Sequence, residues 1–234
     1  MLKSLPYLAL FIFLHLGYYF YHTPADTTSL VSAEVELRIV QDESAETISV
    51  FRGAEKQPIL VQNAKANFRP YLHPIVAPDG KGVLTEYSPG HHKHQTGIYW
   101  GYTRVNGRDY FHHPEGDYWQ RVSATVVEGK GEMVKWQTVY NLLDSTGNVV
   151  LTETQNWSMR QKDGKYLLDL EWNGDAQTDV TIGKYDYGGL FVRMPWKQGI
   201  AGEVINAARQ RNEKAEGQAA TWVDIGMQVA GRED

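Results

Sequence analysis

The chain has 234 residues, 42% of them hydrophobic and 12% aromatic, which is enough to build a core and excludes disorder for its bulk. Its net charge of −5, with no long run of Lys or Arg, excludes a nucleic-acid-binding face. The absence of cysteine removes disulfides, thiolate catalysis and Cys-ligated metal centres.

Met1-Leu2-Lys3-Ser4 is a short basic lead, and Leu5 to Phe20 follows without a charged residue. A spanning helix needs about 20 apolar residues and a signal-peptide core about 7–15. The run falls between the two. Residues 1–22 are therefore expected to form a hydrophobic helix, either a cleaved signal peptide or a membrane anchor. Residues 23–33 are polar, contain Pro24 and read as a tether, with a small-residue cleavage pattern at Val31-Ser32-Ala33. The expectation is an exported protein (periplasmic, extracellular or membrane-anchored) that meets a membrane only through this segment.

From residue 34 to 234 the pattern is that of strands. Glu34 to Val40 and Thr47 to Arg52 alternate polar and apolar with period two, and Pro58 to Val61 is a third short run. Asn106-Gly107 predicts a tight hairpin between Tyr102–Val105 and Asp109–Phe111. Ser145 to Asn148 predicts a turn between Val134–Leu143 and Val149–Glu153. Asp163-Gly164 predicts another between Thr154–Met159 and Tyr166–Trp172. Helical periodicity is scarce, its best stretch being Ala207 to Ala215, which is polar on most faces. The expected fold class is all-β, an antiparallel β-sandwich.

Six of the eight histidines lie between His73 and His113. The densest stretch is Ser88-Pro89-Gly90-His91-His92-Lys93-His94-Gln95-Thr96-Gly97. In extended chain His92 and His94 point the same way. Two imidazoles on one face can bind a divalent metal, shuttle a proton or hold a substrate oxygen. His73, His112, His113, Asp109 and Glu86 are the candidates for further ligands. No metal-binding spacing such as H-E-x-x-H occurs. Upstream, Arg69-Pro70-Tyr71-Leu72-His73-Pro74 sets a guanidinium, a phenol and an imidazole before the Pro78-Asp79-Gly80 turn. Arg69 is a candidate clamp for a carboxylate or a pair of sugar hydroxyls. Tyr99-Trp100 and Tyr118-Trp119 flank the cluster, and such aromatics either stack on sugar faces or fill a core.

The stretch from Arg69 to His112 resembles the signature region of a bacterial family labelled "methane oxygenase PmoA". That pattern has an R-P-Y-x-H-P segment, a His-rich loop opened by Ser-Pro-Gly, and a Val-Asn-Gly hairpin. The resemblance continues through Tyr187 to Arg193 and ends near Ala220-Thr221-Trp222-Val223-Asp224. It implies site roles for Arg69, His73, His92, His94 and Arg193. His91, Gln95 and Thr96 depart from the pattern, and the expectation is a domain shortened at its C-terminus. The label implies methane oxygenation, but a membrane methane monooxygenase subunit needs several spanning helices and this chain offers one hydrophobic segment. What the resemblance implies is an exported protein with a carbohydrate-related role, on a large sandwich of the sugar-mutarotase type.

Two functional expectations follow. In one, the chain is a hydrolase or lyase acting on small-molecule or carbohydrate substrates. His73, His92 and His94 are then acid/base groups, His92 and His94 alternatively bind a divalent metal, and Arg69, Tyr71, Trp100 and Arg193 contact substrate. In the other, the chain is a non-catalytic carbohydrate-binding or surface module whose aromatics carry the affinity. No Gly-rich phosphate loop and no G-x-S-x-G elbow occurs.

Overall fold

A computed structural model describes residues 35–90, 92–197, 199–229 and 232–233. The expected N-terminal helix, the tether and His91 lie outside these residues. In chain order the strands are β1 (Leu37–Asp42), β2 (Thr47–Arg52), β3 (Leu60–Asn63), β4 (Tyr71–Ile75), β5 (Ile98–Gly101), β6 (Trp119–Glu128) and β7 (Lys130–Gly131). They continue with β8 (Met133–Leu143), β9 (Val149–Lys162), β10 (Lys165–Ala176), β11 (Gly189–Val192), β12 (Gly202–Asn206), β13 (Val223–Val229) and β14 (Arg232–Glu233). No α-helix occurs among the described residues, and none of their helices is long and apolar enough to cross a membrane.

The strands form a seven-stranded sheet in the order β11-β5-β4-β3-β2-β1-β7 and a four-stranded sheet in the order β10-β9-β8-β6. A small third sheet has the order β12-β13-β14. The pairings are antiparallel. Strict alternation brings the two larger sheets face to face. On β8 the buried positions are Val134, Trp136, Thr138, Tyr140 and Leu142; on β9 they include Leu151, Glu153, Gln155, Trp157 and Met159. Trp136 and Trp157 sit opposite each other and stack at 6.3 Å. They meet Leu37, Ile48, Val50, Leu60 and Leu72 of the first sheet in the main core. This is the antiparallel sandwich that the period-two pattern predicts.

The predicted turns form, and two adjoining predictions need correction. Asp163 and Gly164 both take positive φ, 52° and 70°, and close the β9–β10 hairpin. The separate strands predicted at Val149–Glu153 and Thr154–Met159 are one 14-residue strand, because no turn residue interrupts the alternation. Asn106 and Gly107 also form their tight turn, at φ 50° and 81°, with Val105 bridged to Arg108. Its arms do not become strands. Asp109 Oδ1 captures the amides of Phe111 and His112 at 3.0 Å each, which bends the chain out of a ladder. Ala207 to Ala215 is turn, with one short 3-10 turn at Asn212–Lys214.

The site is placed by the outer face of the seven-stranded sheet. Leu72 and Ile98 point into the main core. Their neighbours Tyr71 and Tyr99 point the other way, where Phe68, Phe111 and Phe191 join them in a separate aromatic cluster. Two excursions of the chain, residues 86–97 and 102–118, carry His92, His94, His112 and His113 to this cluster through His94 and Phe111, while Val105 and Tyr110 of the second pack into another core with Trp119 and Tyr140.

Candidate functional site

The His-rich loop is a small hairpin with defined roots. Gly97 N–H donates to Glu86 O, Ser88 N–H to Gln95 O, and Tyr87 bridges Thr96. At its tip, His92 N–H donates to Pro89 O and Gln95 N–H to His92 O, so the tip is a pair of turns and not extended chain. The turns still bring the His92 and His94 rings to 6.2 Å.

Arg69 fixes the loop from beneath. It is completely buried, and its guanidinium donates to Phe111 O at 2.5 Å, His94 O at 2.6 Å and Thr96 Oγ1 at 3.3 Å. It also lies 3.4 Å over the Tyr99 ring. Burial lowers its pKa to about 10, so it stays charged at neutral pH. The expected substrate clamp is thus turned inward, holding the 86–97 loop to the 109–113 segment.

That segment supplies the third imidazole. The His94 and His112 rings meet edge to face at 4.6 Å. His112 Nδ1 lies 2.7 Å from Asp109 Oδ2, and its Nε2 lies 2.9 Å from the Tyr187 hydroxyl. Tyr187 comes from the chain just before β11 and contacts Tyr185 at 5.0 Å between ring centroids. Tyr185 and Tyr187, 40% and 50% exposed, border the His112 imidazole on an open surface, whereas Tyr87, 44% exposed, packs on His73. His94 is held neutral: its pKa is pushed down to about 4, by burial first and then by the charges of His112, Arg69 and His92, against an opposing pull from Asp109.

The other predicted site residues stand apart or serve the scaffold. His73 Nδ1 is 2.9 Å from Thr85 Oγ1, its ring packs on Tyr87 at 5.7 Å, and burial lowers its pKa. Tyr71 is buried between Phe68 and Tyr87, which raises the pKa of its phenol. Arg193 pairs with Glu86 through Nη2 at 3.0 Å and Nε at 3.1 Å, bracing the root of the loop. Trp100 points to the opposite face of β5 and stacks on Trp172 of β10 at 4.9 Å. His113 stacks flat on Tyr118 at 4.7 Å and bonds to Asp109 O.

Among the described residues, no three His, Asp or Glu side chains are grouped so as to hold a metal ion. Asp109 and both ring nitrogens of His112 are already engaged with each other and with Tyr187. Sequence reading offered Asp109 and His112 only as ligands and gave Tyr187 no role. No spacing signal joins residues 75 positions apart.

A family model matches residues 58–234, a span that includes all of these groups. The chain belongs to DUF6807, a family of unknown function. No curated protein and no solved structure matches it. The DUF6807 match contains the whole of β4, β5 and β11 and both histidine-bearing excursions, so the site lies inside the family's own domain.

Proposed function

We propose that this DUF6807 member is an exported protein that performs acid–base chemistry, of hydrolase or lyase type, on a carbohydrate-derived substrate. The observation that carries this reading is the convergence of His92, His94 and His112, from two separate excursions, with the exposed Tyr185 and Tyr187 against His112. A neutral imidazole accepts protons near neutral pH, and exposed phenols both stack on sugar rings and bond their hydroxyls. The resemblance to the family labelled "methane oxygenase PmoA" supports the export and the carbohydrate class. The two-sheet body is in keeping with a large sandwich of the sugar-mutarotase type. Arg69 and Arg193 act in this reading by fixing the loop.

The test is a panel of neutral and uronate-containing polysaccharides, scored for new reducing ends and for the ultraviolet absorption of unsaturated products. Activity on one member should fall by about 100-fold or more in the His92→Ala/His94→Ala double variant with folding intact. Activity indifferent to that change would remove the imidazoles from the chemistry.

A second reading, a non-catalytic carbohydrate-binding module, is favoured by the exposed pair Tyr185 and Tyr187. It predicts saccharide binding that survives the histidine double variant and is lost in Tyr185→Ala. Trp100 cannot carry that binding while it is stacked on Trp172.

A further inference from the structure

We propose that Tyr187 is the residue that exchanges a proton with the substrate, with His112 as its proton partner and Asp109 as the residue positioning His112. This rests on the acid–base reading above and names the group that performs it.

The geometry gives each member its role. Asp109 is locked in place, because its Oδ1 accepts the amide hydrogens of Phe111 and His112. Its Oδ2 faces His112 Nδ1 at 2.7 Å. A carboxylate only accepts, so a neutral His112 must carry its hydrogen on Nδ1. Nε2 is then a bare acceptor, and the Tyr187 hydroxyl at 2.9 Å donates to it. The phenol oxygen also interacts with Tyr185, and a ligand can reach it from the open side, where its residue is 50% exposed. The order carboxylate, imidazole, hydroxyl is that of a general-base relay, with a phenol in the place of an aliphatic hydroxyl.

The proton bookkeeping closes without a co-reactant. Tyr187 passes its hydroxyl proton to His112 Nε2 while its oxygen takes a proton from a substrate hydroxyl or ring carbon. His112 becomes an imidazolium facing Asp109. Return of the proton through Tyr187 to the departing oxygen restores the starting state. Partial burial and the neighbouring Tyr185 and Asp109 hold the Tyr187 phenol above its ordinary pKa, so no standing phenolate exists and the transfer depends on His112. His94, packed edge-on against His112, adds no competing positive charge at neutral pH.

The test needs no knowledge of the substrate. The purified protein is treated with an aryl sulfonyl fluoride at neutral pH, and modified tyrosines are mapped by peptide mass spectrometry. In that reaction the Tyr187 oxygen–sulfur bond forms, the sulfur–fluorine bond breaks, fluoride leaves and the phenolic proton passes to His112. Tyr187 should react about tenfold faster or more than its exposed neighbour Tyr185. Asp109→Asn keeps the Oδ1 acceptor but turns an amide NH₂ toward Nδ1. That should move the His112 hydrogen to Nε2, visible by nitrogen NMR, and bring the Tyr187 rate down to that of Tyr185. Asp109→Glu should restore part of it. His112→Gln, which leaves the Asp109 cap in place, should abolish the preference as well. Equal rates at Tyr187 and Tyr185 in the native protein would overturn the relay, as would a preference that survives His112→Gln. The probe is not a saccharide, so the relay can fail while the carbohydrate reading stands, and the reverse.

Discussion

Glu153 is a carboxyl placed in the sandwich interior. It is 1% exposed, accepts from Gln155 Nε2 and Trp172 Nε1 at 2.8 Å each, and sits directly across the ladder from Tyr140. Burial raises its pKa to about 7, overcoming those two bonds and the more distant Arg69. A group whose folded pKa is raised contributes stability that is complete below its unfolded pKa and is lost as pH rises through the folded one. Glu153 should therefore cost the fold stability between pH 4.5 and about 7, on the order of 3 kcal/mol at most. Glu153→Gln should remove that loss, so that the urea midpoint at pH 8 rises relative to that at pH 5 when compared with the native protein. A slope unchanged by the substitution would show that Glu153 does not titrate there. Arg69 is the converse case, a buried cation whose two terminal nitrogens serve the chain itself while its Nε has no hydrogen-bond partner. Arg69→Ala leaves two backbone carbonyls and a hydroxyl without it, and should destabilise by about 3 kcal/mol or more in urea unfolding.

At the scale of elements, the site depends on how the 86–97 hairpin is rooted. Gly97 has φ 72°, and a Cβ there would lie 2.1 Å from Leu72 O in β4. Only glycine allows β4 and the loop's return to approach so closely. Gly97→Ala should cost about 3 kcal/mol and also disturb the imidazoles, lowering the melting temperature and dispersing the His92 and His94 NMR signals. The Glu86–Arg193 pair holds the same root from β11, through two backbone bonds and a forked contact. Its side chains are partly exposed, so Arg193→Ala should cost only about 1 kcal/mol or less. Its effect on activity should exceed its effect on stability, since what it loosens is the loop.

For the whole molecule, the pH profile sums opposing groups. His94, with its pKa lowered to about 4, contributes stability that is present above its ordinary 6.5 and lost as pH falls toward 4. Glu153 contributes in the other direction over 4.5 to about 7. The two offset each other between pH 4.5 and 6.5. Removing one should expose the other: in His94→Asn, stability should fall steadily from pH 4.5 to 7, and in Glu153→Gln it should rise from pH 4 to 6.5. Chemical denaturation across that range measures both.

The sandwich was legible because its signal is local. Alternation along β8 and β9 tells each residue which face to take, and Asp163-Gly164 tells the chain where to reverse. Of the predicted 102–111 hairpin only the Val105–Arg108 turn and one Tyr110–Tyr102 backbone bond form, and beyond them Asp109 takes the amides of Phe111 and His112 out of the ladder. Of the site, the density of histidine pointed to the right loop, and His92 and His94 do converge. Arg69 was a candidate clamp and Trp100 a candidate either for a sugar face or for the core, and what decides between roles, the burial of Arg69 against the chain's own carbonyls and the stacking of Trp100 on Trp172, is a property of packing. By itself, then, the sequence determined the strands, their turns and the loop that bears the imidazoles. Only the tertiary structure decided that Asp109, His112 and Tyr187 form one hydrogen-bonded line. Hydrogen bonding acts over about 3 Å, and nothing in a linear order records which residues 75 apart will come within that distance.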